Sequence, residues 1–139
     1  METEINKRIL QRFVKFINTA STDLAEELIS PQAIFYVPGR TEPMTGPGGY
    51  LEIIQMMRDG FPDIQWTLDD LVAEGDKIAA RFTMHGTHNG PFLGVLPTGK
   101  PIKVQAFNFY RLLNAKIIEE YGHPDLLGIM QQIGAIPSN

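Results

Sequence analysis

Apolar positions recur along this chain with two different periods, which separates predicted helices from predicted strands. Helical stripes run through residues 4–18 and 50–61, and a shorter helix is expected over residues 24–29. A last apolar pattern follows Pro124, which suits the first turn of a helix, and Gly134 is placed to end it. The sequence therefore predicts four helices, three in the first half of the chain and one at its end.

A period of two, typical of half-buried strands, governs most of the second half of the chain. Two hairpins and a short β-favouring run are expected, with strands over residues 33–37, 64–72, 78–85, 102–113 and 116–121 and Gly/Pro-rich connections over 39–49 and 89–101. Because helices and strands are segregated rather than alternating, an α+β fold is favoured, with helices packed on one face of a twisted, mostly antiparallel sheet. A strongly bent sheet of this kind leaves a concave, largely apolar pocket.

Length and composition limit what the protein can be. The 139 residues predict a single domain spanning 1–139, and the absence of cysteine excludes disulfides and thiol nucleophiles. The net charge of −4 argues against nucleic acid as a partner. Apolar runs stay short of the roughly 20 residues that a membrane span needs, and no secretory signal is recognised. We expect a cytoplasmic protein with no membrane association.

Metal and serine chemistry are poorly supported by the pattern of residues. His85 and His88 are three residues apart at the end of a predicted strand, where their side chains point to opposite faces, and no third ligand completes a zinc set. No Gly-x-Ser-x-Gly motif occurs. We therefore predict no metal site.

The carboxylates at the junction of the last strand and the last helix are the better candidates for chemistry. Glu119 and Glu120 face opposite sides of their strand, so at most one can enter a pocket. Asp125 has two open interpretations. A carboxylate in the first helical turn caps free N–H groups, which lowers its pKa, whereas burial in an apolar cavity raises the pKa and makes it an acid or base near neutral pH.

Asn108 is the second candidate, on a strand face shared with Val104, Ala106 and Tyr110. Its amide is either a satisfied core polar group or a donor aimed at a substrate carbonyl. The remaining candidate substrate-binding residues are His85, His88, Tyr36 and Trp66.

Several motifs then resemble one known family. The run Gly86-Thr87-His88-x-Gly90-x-Phe92-x-Gly94-x-x-Pro97-Thr98-Gly99 is similar to the central signature of the SnoaL-like polyketide cyclases, also called ester cyclases. The downstream segments resemble the same family, namely Tyr110-Arg111, Lys116-Ile117-x-Glu119-Glu120-Tyr121 and Asp125-x-x-Gly128-x-x-Gln131-Gln132-x-Gly134.

This resemblance implies the cone-shaped α+β fold of the nuclear transport factor 2-like superfamily, commonly dimeric through the sheet. It also implies a cofactor-free acid/base enzyme that closes a polyketide ring by intramolecular aldol condensation, with Asp125 as the catalytic residue and a small apolar or polyketide-like ligand. Two alternatives stay open. One is an isomerase or epoxide hydrolase that would use a paired acid or an Asp–Arg pair drawn from Asp69, Asp70 and Arg81, and the other is a non-catalytic module that binds an apolar small molecule.

Overall fold

A computed structural model describes residues 2–137 of the chain. Within that range the chain forms four helices, α1 (Glu2–Thr19), α2 (Thr22–Leu28), α3 (Gly46–Gly60) and α4 (Leu126–Gln132). The same residues form six strands, β1 (Ile29–Tyr36), β2 (Met44–Thr45), β3 (Gln65–Glu74), β4 (Lys77–Thr87), β5 (Pro101–Leu113) and β6 (Lys116–Pro124). None of the helices in this range is long and apolar enough to cross a membrane.

The predicted helices and strands are confirmed, but the segment between β1 and α3 differs from the expected loop. α3 begins at Gly46, several residues before the predicted start. Pro47 lies in its first turn, where the missing backbone N–H removes no helical hydrogen bond. Met44–Thr45 forms a short strand on the edge of the sheet, paired with Ile34 and Phe35 of β1. Of the predicted loop over residues 39–49, only the first part remains irregular.

One curved sheet contains all six strands in the order β2-β1-β6-β5-β4-β3 among the described residues. All neighbours are antiparallel except β1 and β6, which run parallel. β1 starts at Ile29, a residue that the sequence pattern places at the end of the second helix. This early start lets Ile29 pair with Ile117 of β6, and after an irregularity the pairing resumes from Ile34 to Tyr36.

The helices pack on the concave face of the sheet, and an aromatic cluster joins them to it. Phe13 of α1 contacts the rings of Tyr50 on α3 and Tyr110 on β5, with centroids 5.0 and 5.7 Å away. Phe35 of β1 meets Tyr50 edge-on at 4.7 Å. The predicted α+β cone is thus confirmed, with its core between the helices and the inner sheet face.

The outer face of the sheet carries exposed aromatic residues. The rings of Tyr36 and Tyr121 stack at 4.6 Å with an interplanar angle of 7°. Phe109 is the β5 partner of Tyr121, and Phe107 is the β5 partner of His123. These side chains form one patch, the outer aromatic face, defined by Tyr36, Phe107, Phe109 and Tyr121.

Candidate active site

A cavity of about 380 Å³ lies between the concave sheet face and the helices. Its wall is mainly apolar and aromatic, and within residues 2–137 its charged members are Arg40 and Glu120. The other groups in the wall with hydrogen-bonding side chains are Tyr50, Trp66 and Asn108. A mostly apolar pocket with a few convergent polar groups is the usual form of a site for a small organic ligand.

Glu120 is the buried acid of this cavity. It lies on β6, directly opposite Tyr110 of β5 and beside Phe35 of β1, and only 5% of its surface is exposed. Burial raises the pKa of Glu120 to about 8, because the apolar surroundings disfavour its charged form. The neighbouring Tyr50 hydroxyl opposes this rise in pKa, since it can donate a hydrogen bond to the carboxylate. A carboxyl with this pKa can exchange protons near neutral pH.

The Glu120 carboxyl is also incompletely paired. Its Oε1 atom is buried and has no hydrogen-bond partner among residues 2–137. Buried polar atoms without partners are rare in folded proteins, because each costs free energy that a partner would recover. A ligand in the cavity is a natural partner for this oxygen.

Two buried tyrosines surround the acid and stay protonated. Burial, and then the charge of Glu120, raise the pKa of Tyr50 and that of Tyr110 well above the ordinary value. Both phenols therefore act as neutral hydrogen-bonding groups at physiological pH.

Asn108 has a fixed orientation in the wall of the cavity. The backbone N–H of His123 donates to Asn108 Oδ1 at 3.0 Å, which places the side-chain oxygen on that side because an N–H can only donate. The amide nitrogen then donates to the Tyr110 hydroxyl at 3.1 Å. An amide nitrogen carries two hydrogens, so one N–H of Asn108 is left for a ligand.

Gly122 has no side chain, and the space beside it is occupied by the side chains of Glu120 and Asn108. A Cβ atom at this position would lie 3.1 Å from Glu120 Oε2 and 3.7 Å from Asn108 Oδ1. The glycine is thus the β6 residue between Glu120 and the strand end that keeps the polar part of the cavity open.

Trp66 joins Asn108 as a predicted substrate-binding residue that lines the cavity. Its backbone is held by Asn18 at the end of α1, which accepts from Trp66 N at 2.7 Å and donates to Trp66 O at 2.9 Å. This pair of hydrogen bonds attaches β3 to α1 and fixes one wall of the cavity.

Asp125 lies outside the cavity, at the N-cap of α4. Its side chain is exposed, and its Oδ1 accepts from the backbone N–H of Gly128 at 2.8 Å. Gly128 packs tightly against this carboxylate, since a Cβ at this position would overlap with Asp125 Oδ2. Of the two interpretations that the sequence leaves open for Asp125, the structure shows the helix cap. Its catalytic role stays a prediction that this geometry does not favour.

Three other predicted substrate-binding residues are placed away from the cavity wall. His85 is exposed on the opposite face of β4 from Met84, and Tyr36 belongs to the outer aromatic face. His88 is fully buried just beyond β4, where its Nδ1 accepts from Thr98 N at 3.2 Å. It packs on Phe61 and anchors the loop after β4. None of the three lines the cavity, since alternation along the strands turns His85 and Tyr36 outward and His88 is buried beneath the loop after β4. Their role in substrate binding stays a prediction that this geometry does not favour.

The pair of residues that an epoxide hydrolase would require is also outside the cavity. Arg81 Nη1 and Asp69 Oδ2 are 3.6 Å apart, on the face of β4 opposite buried Ala80 and Phe82. No group of three His, Asp or Glu side chains that could hold a metal ion comes together within residues 2–137.

The sequence identifies Asn108 and Trp66 in the cavity wall but not its charged residues or Tyr50. The sequence pattern does not distinguish Glu120 from Glu119, and it marks neither Tyr50 nor Arg40 as a site residue. A usable signal existed for Tyr50, which belongs to the apolar stripe of α3 yet carries a hydroxyl. No pattern marks Arg40, because it lies in an irregular segment between β1 and β2.

Comparisons with known proteins agree with this architecture. The family model for "SnoaL-like polyketide cyclase" matches residues 7–133, which is most of the chain, so the protein belongs to the SnoaL-like polyketide cyclase family. Its cone-shaped α+β fold is that of the nuclear transport factor 2-like superfamily.

Two groups of relatives show how far the similarity extends. Aklanonic acid methyl ester cyclase DnrD from Streptomyces peucetius is 26% identical over 139 residues, covering 96% of this chain and 92% of the relative. Among solved structures, IdmH from Streptomyces antibioticus has a TM-score of 0.84 and 28% identity over 93% of this chain and 98% of its own. TsrD from Streptomyces laurentii has a TM-score of 0.85 and 26% identity, covering 98% of this chain and 99% of its own.

Proposed function

We propose that this protein is a cofactor-free cyclase that closes a ring within a small, largely apolar carbonyl compound of polyketide type. The observation that carries the proposal is the Glu120 carboxyl in its apolar cavity, with a pKa raised to about 8 and no partner for Oε1 among residues 2–137. Family membership and relatives that are aklanonic acid methyl ester cyclases support the reaction class.

In the proposed reaction Glu120 acts first as a base. Its carboxylate removes a proton from the carbon next to a substrate carbonyl, and the electrons of the broken C–H bond form an enolate. The free N–H of Asn108 donates to the developing enolate oxygen, which disperses the new negative charge.

Glu120 then acts as an acid. The enolate carbon attacks a second carbonyl carbon of the same molecule, so that one C–C bond forms and the second carbonyl oxygen becomes an alkoxide. The protonated Glu120 returns its proton to that alkoxide, which leaves a hydroxyl group and restores the carboxylate. The product is an isomer of the substrate, so the step needs no oxidant or reductant.

Substitution of Glu120 tests this assignment against the one that places the acid at Asp125. Wild type, Glu120→Gln and Asp125→Asn would be incubated with aklanonic acid methyl ester and with the corresponding free acid, and ring closure followed chromatographically. We expect a loss of at least about 100-fold in turnover for Glu120→Gln, the lower range for removing an acid/base group. Asp125→Asn should stay near wild type, because asparagine also caps a helix. The opposite pattern would return the catalytic role to Asp125.

A non-catalytic binding module is the second candidate, favoured by the predominantly apolar wall of the cavity. In that case Glu120→Gln would leave ligand binding intact and no ring closure would be detected with wild type. The isomerase and epoxide hydrolase alternatives gain no such support, because the Asp69–Arg81 pair lies on the other face of the sheet.

We also propose a homodimer formed through the outer aromatic face. Four exposed aromatic side chains on adjacent strands are the type of patch that marks an interface in a soluble protein. Light scattering of wild type should give twice the chain mass, and Phe109→Asp should give a monomer with intact helix content. A monomeric wild type would contradict this proposal.

A further inference from the structure

Arg40 gives the cavity a positively charged rim. It lies in the segment between β1 and β2, is exposed, and contributes to the wall together with Val37 and Pro38. Glu120 is the other charged residue of that wall and is buried. The polar groups of the cavity are therefore of two kinds, a buried acid with its amide neighbour and an exposed guanidinium.

Among residues 2–137, Arg40 has none of the protein partners that most of the arginines possess. Arg12 forms a bidentate ion pair with Glu27. Arg81 pairs with Asp69, and Arg111 pairs with Asp76 and Glu119. Arg58 donates to the backbone oxygen of Asn18.

Within residues 2–137 neither Arg40 nor Arg8 makes a hydrogen bond or an ion pair, and Arg8 lies on α1 outside the cavity wall. Arg40 is thus the unpaired arginine that a bound ligand would meet.

Glu120 does not neutralise this charge at physiological pH. Its raised pKa keeps most of the carboxyl protonated at pH 7, so it offers little negative charge to balance the Arg40 guanidinium. A guanidinium next to an apolar surface is suited to a carboxylate, because its planar fork of N–H groups matches the two oxygens.

We propose that the cavity selects a ligand with two functional ends, a carbonyl that meets Glu120 and Asn108 and a carboxylate that Arg40 binds at the rim. The carbonyl end rests on the proposed function, whereas the carboxylate end rests on Arg40 alone. This selection separates the chain from relatives whose names specify a methyl ester as the compound cyclised.

Calorimetric titration with 3-benzoylpropanoate and its methyl ester tests the carboxylate end. Both compounds contain an aromatic ketone and differ in charge. We expect wild type to bind the acid about tenfold more tightly than the ester, which corresponds to about 1.4 kcal/mol. Arg40→Gln should reduce this ratio to about one, and Arg40→Lys should retain part of it because it keeps the charge without the fork. Arg8→Gln is the matched control and should retain the full preference.

Failure of this inference and failure of the cyclase proposal can be told apart, because the titration requires no turnover. Glu120→Gln should keep the acid preference even where ring closure is lost. Equal binding of acid and ester by wild type would overturn the inference, as would an equal loss of both in Arg40→Gln or no measurable binding of either compound. Loss of the acid preference in Arg40→Gln, together with no ring closure by wild type, would sustain the inference and reject the cyclase.

Discussion

Tyr110 and Glu120 lie directly opposite each other on β5 and β6, and both side chains are buried on the concave face of the sheet. This pairing places a carboxyl against a phenol whose own pKa is raised by burial and by the charge of Glu120. Neither group can ionise there as readily as in water. Burial thus raises the pKa of Glu120 to about 8, and ionisation of this carboxyl costs more free energy in the folded protein than in the unfolded chain.

That cost predicts a dependence of stability on pH. Between the ordinary pKa of 4.5 and the folded value of about 8, the unfolded chain releases the Glu120 proton while the folded chain keeps it. The contribution of Glu120 to the free energy of unfolding is therefore fully present below about pH 4.5. It decreases by up to about 1.4 kcal/mol per pH unit as the pH rises to about 8. The free energy of unfolding of Glu120→Gln should not show this decrease, because glutamine does not ionise.

Urea unfolding of both proteins from pH 4 to pH 9, an interval chosen to bracket about pH 4.5 to 8, measures this effect. The free energy of unfolding of wild type should fall relative to that of Glu120→Gln across the interval. Parallel curves for the two proteins would mean that Glu120 titrates with an ordinary pKa.

Asn108 predicts a loss of rate without a comparable loss of binding. Asn108→Ala removes the N–H assigned to the enolate oxygen and leaves the backbone N–H of His123 without its acceptor. We expect kcat to fall by roughly 10²–10³-fold, the usual effect of removing one such donor, with KM changed far less. Steady-state kinetics on the ring-closing substrate provides the measurement. A rise in KM of similar size, with kcat unchanged, would instead mean that Asn108 contributes to binding of the ground state.

Gly122 offers a test of positioning. Gly122→Ala would bring a methyl group to 3.1 Å from Glu120 Oε2, so the carboxyl must move within its cavity. Turnover should fall while the protein stays folded, because the contact is with the end of a flexible side chain. Gly48→Ala is the control, since a Cβ at Gly48 meets nothing within 4 Å. Loss of activity in both variants would point to a general effect of the substitutions.

Asp125 should affect stability more than catalysis. Asp125→Ala removes the cap that accepts from Gly128 N, and such a loss costs about 1 kcal/mol. Chemical denaturation should show this decrease, and Asp125→Asn should show little of it. A large fall in turnover for Asp125→Asn without a change in stability would support the catalytic role that the family resemblance implies.

Most of the fold was readable from the sequence because the two hydrophobic periods are long and regular in α1, β4 and β5. The errors occurred where local signals conflict with tertiary pairing. The Gly/Pro-rich run at residues 43–49 looks like a loop, yet it contains an edge strand and the first turn of α3. β1 extends back to Ile29 because β6 is available as a parallel partner, which no local pattern reveals.

The choice between Glu119 and Glu120 could not be made from the sequence for a definite physical reason. A regular two-residue hairpin at Asn114-Ala115 would place Glu119 opposite Tyr110. A bulge next to Arg111 shifts the register by one residue, so Tyr110 pairs with Glu120 instead. Because side chains alternate between the faces of a strand, this shift exchanges which glutamate enters the cavity.

The pH dependence of kcat/KM in wild type tests the central claim, that the buried carboxyl of Glu120 is the acid/base group. The account predicts that kcat/KM rises with pH by about tenfold per unit and levels off near pH 8, because the reaction begins with the ionised carboxylate. A profile that is already level below about pH 6, as an exposed carboxylate with an ordinary pKa would give, would contradict it.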